Sequence, residues 1–138
     1  MHFSNVEEQI PQGQDGYNSL FKIQPLFDIV NPTYEQWYQP ERDLSLDESM
    51  VRFKGRLFFR QYLPAKPTRW GIKQFVLAEA KSGYCLKTVV YSGKTSLPRM
   101  QGVSLTEQVV LSLLDGYENK GHVVYLDNFI LLQFFSKS

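Results

Sequence analysis

An α/β or α+β domain with a mixed sheet is the fold class this sequence predicts, on three observations. The apolar period changes from three and four between Leu20 and Trp37 to two from Asp43 onward, which separates a helix from a strand. Two runs rich in β-branched and aromatic residues flank Lys81-Ser82-Gly83, the pattern of a hairpin. A helix with a strong start signal then leads into the short, almost wholly apolar run His122 to Leu126. The 138 residues fit one domain, and 43% apolar content with 14% aromatics is enough for a core.

Residues 1–18 are rich in Gln, Gly and Asn and show no period, so a flexible lead-in is expected. Leu20, Ile23, Leu26, Phe27, Val30, Tyr34 and Trp37 form one helical stripe over residues 19–40. Pro25 and Pro32 interrupt it, and a break or kink is expected near Asn31–Pro32, because an internal proline removes a hydrogen bond and crowds the preceding turn. This helix is expected to be an accessory element outside the sheet.

Leu44 and Leu46 alternate with Asp43, Ser45 and Asp47, a half-buried strand with Asp47 toward its end. Gly55, Pro64, Pro67 and Gly71 then punctuate a stretch expected to be loop or short segments. Ile72 to Glu79 and Tyr84 to Tyr91 are the two strands of the hairpin, and Ser92 to Gly102 reads as loop. Ser104-Leu105-Thr106-Glu107 matches a capping box, with Gly116 suited to the helix end. The run ending at Leu126 has the composition of a strand buried on both faces, and Phe129 to Phe135 restarts a helical pattern.

No run of 18 apolar residues exists, and the N-terminus lacks the basic and apolar regions of a signal peptide. The single cysteine, Cys85, has no internal disulfide partner and reads as a small core residue, and no Cys/His cluster has zinc spacing. A reducing, intracellular location follows as the simplest expectation.

The net charge of +1 conceals an asymmetry. Between Ser49 and Ala78 there is no Asp or Glu, while Arg52, Lys54, Arg56, Arg60, Lys66, Arg69 and Lys73 all fall there. Those seven of 15 Lys and Arg leave eight to face all 14 Asp and Glu elsewhere. Such a split is either a face for an anionic partner or a solvated basic loop.

Two acids stand out by position. Asp47 lies in the first strand and Asp127 directly follows the most apolar one. Carboxylates presented from neighbouring strands make an oxygen-rich site for a hard cation such as Mg²⁺. Asp127 can equally cap a helix starting at Phe129. Glu48, next to Asp47 on the same strand, is expected to point to the opposite face.

The segment Asp47-Glu48-Ser49-Met50-Val51-Arg52-Phe53-Lys54-Gly55-Arg56 resembles the surroundings of the first catalytic aspartate of piggyBac-type transposases, D-E-x-M-x-x-F-K-G-R. The resemblance continues through Arg60, Tyr62, Pro64, Lys66, Pro67, Gly71 and Lys73, and then through Ser82-Gly83-Tyr84, Tyr91-Ser92-Gly93-Lys94 and Leu126-Asp127-Asn128-Phe129. It runs from about Lys22 to the C-terminus, with its motifs in fixed order.

The resemblance implies an incomplete RNase H-like domain, a mixed sheet with flanking helices, over residues 41–138. Residues 19–40 then belong to the end of a dimerisation and DNA-binding region. Asp47 and Asp127 match the first two of three catalytic aspartates, which hold Mg²⁺ for two-metal DNA cleavage and strand transfer. The basic residues would meet phosphates, and Phe53, Phe58, Phe59, Tyr62 and Trp70 would either stack on bases or fill the core. Implied partners are transposon-end DNA with a TTAA target, and self-association or pairing with a full-length transposase; the implied location is the nucleus. The family's third aspartate lies far downstream of the second, and none of the 11 residues after Asp127 is acidic. A weak or incomplete Mg²⁺ site and no activity by the chain alone are therefore expected. A non-catalytic interaction protein and a decayed transposon remnant are the competing expectations.

Overall fold

The computed structural model describes residues 9–12, 14, 17–64, 66–67, 69–92 and 101–127. Its elements are α1 (Gln24–Trp37), β1 (Asp43–Arg52), β2 (Gln61–Tyr62), β3 (Trp70–Glu79), β4 (Cys85–Val90), α2 (Leu105–Leu114) and β5 (Val123–Leu126). The expected helix from Phe129 and most of the loop from Ser92 lie outside the described residues.

The sheet is mixed. β1 and β3 pair antiparallel along their whole length, from Leu44 opposite Glu79 to Arg52 opposite Gly71. β5 lies on the other side of β1 and runs parallel to it. β2 and β4 share the far edge of β3, with β2 along Trp70–Gly71 and β4 along Gln74–Ala78. The Gly71 position tolerates no side chain, since a Cβ there would stand 2.2 Å from the Val51 carbonyl oxygen.

Alternation along β1 decides which face becomes the core. Leu44, Leu46 and Glu48 are buried, whereas Asp47 is exposed. Leu44 and Leu46 join Phe75, Leu77 and Leu86 from the sheet and Val109, Val110 and Leu113 from α2 in one cluster. Each of these leucines stabilises the fold by about 1.5–3 kcal/mol relative to an exposed position. The expected capping box starts α2: Ser104 Oγ accepts from the Glu107 amide at 3.2 Å, and Glu107 accepts from the Ser104 amide at 2.6 Å. Gly116, with φ of 90°, lets the chain turn after it.

Three expectations are corrected here. First, α1 is one unbroken helix across Pro32, and it starts at Gln24, so Leu20 and Ile23 lie before it. Pro25 falls in the first turn, where a missing amide hydrogen costs nothing. Asn31, at the expected break, hydrogen bonds Thr88 of β4 twice: its side-chain amide donates to the Thr88 carbonyl and accepts from the Thr88 amide, both at 3.0 Å. That is the pair a neighbouring strand would make, so α1 caps the edge of β4. The apolar stripe is not wholly covered: Leu26 and Trp37 are exposed, as is Ile29 outside it. Second, β1 continues to Arg52, five residues beyond Asp47, so Asp47 is mid-strand and the first basic residue is still in the sheet. Third, β5 is buried on one face only, with Val123 and Tyr125 exposed.

Candidate functional site

The parallel pairing of β1 with β5 brings the two aspartates together. Ser45 is opposite Tyr125 and Leu46 is opposite Leu126. Continued by one residue, the register sets Asp47 opposite Asp127, and both are exposed. Alternation turns them to the face away from the leucine core. Asp47 Oδ1 accepts a hydrogen bond from the Glu48 amide at 2.7 Å, which orients one oxygen and leaves the other to the open face. The start of β5 is held by the Val123 amide donating to the Arg42 carbonyl at 2.9 Å, and His122 Nδ1 lies 3.0 Å from the Glu41 carbonyl.

Two adjacent carboxylates suit an oxygen-seeking divalent ion as part of its ligand set. Among the described residues no group of three or more His, Cys, Asp or Glu is placed to hold a metal. Glu48 lies on the core side as expected, and there it is paired. Lys73 Nζ is 3.0 Å from Glu48 Oε2, off-line for a hydrogen bond, so the attraction is ionic. Lys66 Nζ is 4.0 Å from Glu48 Oε1 and donates to the Glu48 carbonyl at 3.4 Å.

The seven cations of the basic window divide into two groups. Lys73 is turned inward, over the rings of Phe75 and Tyr91, and with Lys66 serves Glu48. Arg52, Lys54, Arg60 and Arg69, with Pro67 and Trp70, line an open cleft of about 520 Å³. Among the described residues none of these four cations has an ion-pair partner. Arg56 is exposed and does not line the cleft. The Arg60 guanidinium lies 4.5 Å over the Trp70 ring, and Tyr62 packs against the same indole at 4.8 Å. The aromatics divide too: Phe59 is buried, while Phe58, Tyr62 and Trp70 are exposed.

Sequence reasoning missed the Glu48–Lys66–Lys73 cluster and the Arg60–Trp70–Tyr62 stack. For the first, the alternation that buries Glu48 beside Leu44 and Leu46 was a usable signal, since a buried acid calls for cations. For the second there was none, because direct opposition of Tyr62 and Trp70 arises only from β2–β3 pairing.

The profile of the Transposase IS4 family matches residues 1–132. The chain belongs to this family. Within it the chain is piggyBac-related: it is 27% identical to the human piggyBac transposable element-derived protein 3 over 98% of its own length, and equally so to the human chimeric ERCC6-PGBD3 protein. It spans 23% and 13% of those two proteins. The cryo-EM structure of a piggyBac transposase synaptic complex with hairpin DNA superimposes with a TM-score of 0.75 at 26% identity, over 82% of this chain and 23% of that one. The mixed sheet with its flanking helices is thus part of the RNase H-like core of piggyBac-type transposases, as the sequence motifs led one to expect.

Proposed function

We propose that this chain is a DNA-binding part of a piggyBac-type transposase core that does not cleave or join DNA by itself. The observation that carries the reading is the cleft at the end of β1: Arg52, Lys54, Arg60 and Arg69 converge on it and have no acid to neutralise them among the described residues. Uncompensated cations gathered on one surface favour a polyanion, and phosphate contacts give affinity with little sequence reading. The structural neighbour was solved on DNA, which supports the choice of polyanion. Asp47 and Asp127 would contribute to holding a divalent ion such as Mg²⁺ beside the middle of the same strand, roughly 17 Å from Arg52 at about 3.4 Å per residue. When bound, such an ion supplies charge stabilisation for phosphoryl transfer. Two carboxylates are too few to hold a pair of ions, so turnover by this chain alone is not expected. TTAA targets, pairing with a full-length transposase and a nuclear site of action belong to the same reading.

The test is fluorescence anisotropy with a labelled duplex at several salt concentrations, for the wild type and for a variant with Arg52, Lys54, Arg60 and Arg69 all changed to Ala. The wild type is expected to weaken steeply with salt, and the variant's log–log slope to be shallower by about 3 to 4. An unchanged affinity in the variant would remove the cleft from the reading. A nicking assay beside an Asp47→Asn, Asp127→Asn control covers catalysis: cleavage that the control abolishes would make the chain an enzyme.

A further inference from the structure

The cleft at residues 52–70 contains more than charge. Trp70 is 48% exposed and Tyr62 is 47% exposed, directly opposite each other on the β2–β3 pair. Neither ring has a place in the leucine core, and β2 is only two residues long. The Arg60 guanidinium adds a third flat group, 4.5 Å from the indole centroid. Exposing two large rings to water is unfavourable unless something covers them. A duplex offers such a surface phosphates and sugars, with its bases stacked out of reach. An unpaired nucleotide offers a flat base together with a phosphate.

Resting on the DNA-binding reading, the geometry points to a site for an unpaired nucleotide of a DNA strand. The base stacks on the Trp70–Tyr62 platform, and the flanking phosphates lie against Arg52, Lys54 and Arg69. Stacking on aromatic rings within a cationic groove is the general solution for single strands, and it tolerates any base because every base has a π-face. Arg60 contributes a further planar surface as well as charge. The site therefore selects for strand state rather than for sequence.

The test uses the whole chain, with oligothymidine of about twelve nucleotides, a span within the usual site sizes, and a duplex and an oligouridine of matching length. Affinity is read by anisotropy, and stacking by quenching of Trp70 fluorescence in a Trp37→Phe background. Oligothymidine is expected to bind about tenfold tighter than duplex and to quench Trp70. Trp70→Leu, which keeps apolar bulk, is expected to weaken oligothymidine at least fivefold and to bring the preference for single strand over duplex down to about twofold or less. Tyr62→Leu is expected to act in the same direction, so the conclusion does not depend on one variant's folding. Equal affinity for single strand and duplex with no effect of Trp70→Leu would overturn the nucleotide site yet leave duplex binding by the cleft intact. Loss of all binding in the wild type would instead overturn the DNA-binding reading beneath it. Tighter binding of oligouridine than of oligothymidine would overturn the assignment to DNA.

Discussion

The β1–β3 ladder has two ends, and they are built on opposite principles. At the Leu44–Glu79 end a buried carboxylate is satisfied by neutral donors. Glu79 accepts from the Tyr38 hydroxyl at 2.8 Å, from the Glu41 amide at 2.8 Å and from Ser82 Oγ at 2.7 Å. These bonds, the Glu41 amide foremost, hold its pKa below the ordinary glutamate value. Tyr84 stacks on Tyr38 at 4.2 Å, and Gly83 takes a φ of 73° to close the turn beneath them. Toward the Arg52–Gly71 end, Glu48 is held by lysines, and beyond it four cations line the cleft without an ion-pair partner among the described residues. Donors fixed by the backbone and by short side chains lock one end. Charges on long side chains leave the other with attraction to spare for an anion. One end is closed by folding alone, and the other keeps a group of cations that no acid neutralises among the described residues.

The largest expected effect breaks the charged end from within. Glu48→Ala removes the acid 3.0 Å from Lys73, whose side chain is only 12% exposed, and should cost roughly 3–5 kcal/mol in urea unfolding. Glu48→Ala combined with Lys73→Met should recover part of that loss; equal stability of the single and double variants would show that the pair is not coupled. Next, Gly71→Ala forces a Cβ against the Val51 carbonyl and should cost about 1–3 kcal/mol, because strand backbone must shift to admit it. The same variant should weaken DNA binding, since Trp70 and Arg52 flank the disturbed pair. A smaller effect sharpens the contrast at the neutral end. Tyr38→Phe removes one of the three donors to Glu79 and should lower stability in urea unfolding by less than Gly71→Ala does.

The pH dependence of that end follows from the depressed pKa of Glu79. A carboxyl group whose pKa is lower when folded adds stability above its unfolded pKa, and the addition is lost as pH falls through the folded value. Melting temperature should therefore drop on acidification below the ordinary glutamate range, and Glu79→Gln should flatten that drop. An identical acid profile in Glu79→Gln would show that the transition belongs to other groups.

Much of the local structure was legible in the chain because it depends on neighbours a few residues apart. The Ser104 capping box, the turn at Gly83, the period-two pattern of β1 and the opposite facing of Glu48 and Asp47 are all of this kind. The ordered motifs also named Asp47, Asp127 and the basic window before any geometry was known. Boundaries were less legible. β1 runs to Arg52 because β3 supplies partners as far as Gly71, and a strand's length depends on its partner as much as on its own residues. α1 passes through Pro32 because packing and the Asn31–Thr88 bonds hold a helix that local propensity alone would interrupt.

What the sequence determined by itself is the inventory: an alternating strand with two leucines inward, a capped helix, a hairpin, two aspartates in recognisable settings and a window holding only positive charge. Only the tertiary structure decided how that inventory is shared out. It set Leu46 opposite Leu126 in the parallel β1–β5 register, one residue before the two aspartates, drew Lys66 and Lys73 to Glu48, and left Arg52, Lys54, Arg60 and Arg69 around Trp70. The physical reason is that a cation's role depends on the nearest acid in space. For Glu48 those cations are 18 and 25 positions along the chain, a separation that only strand pairing and loop closure can bridge.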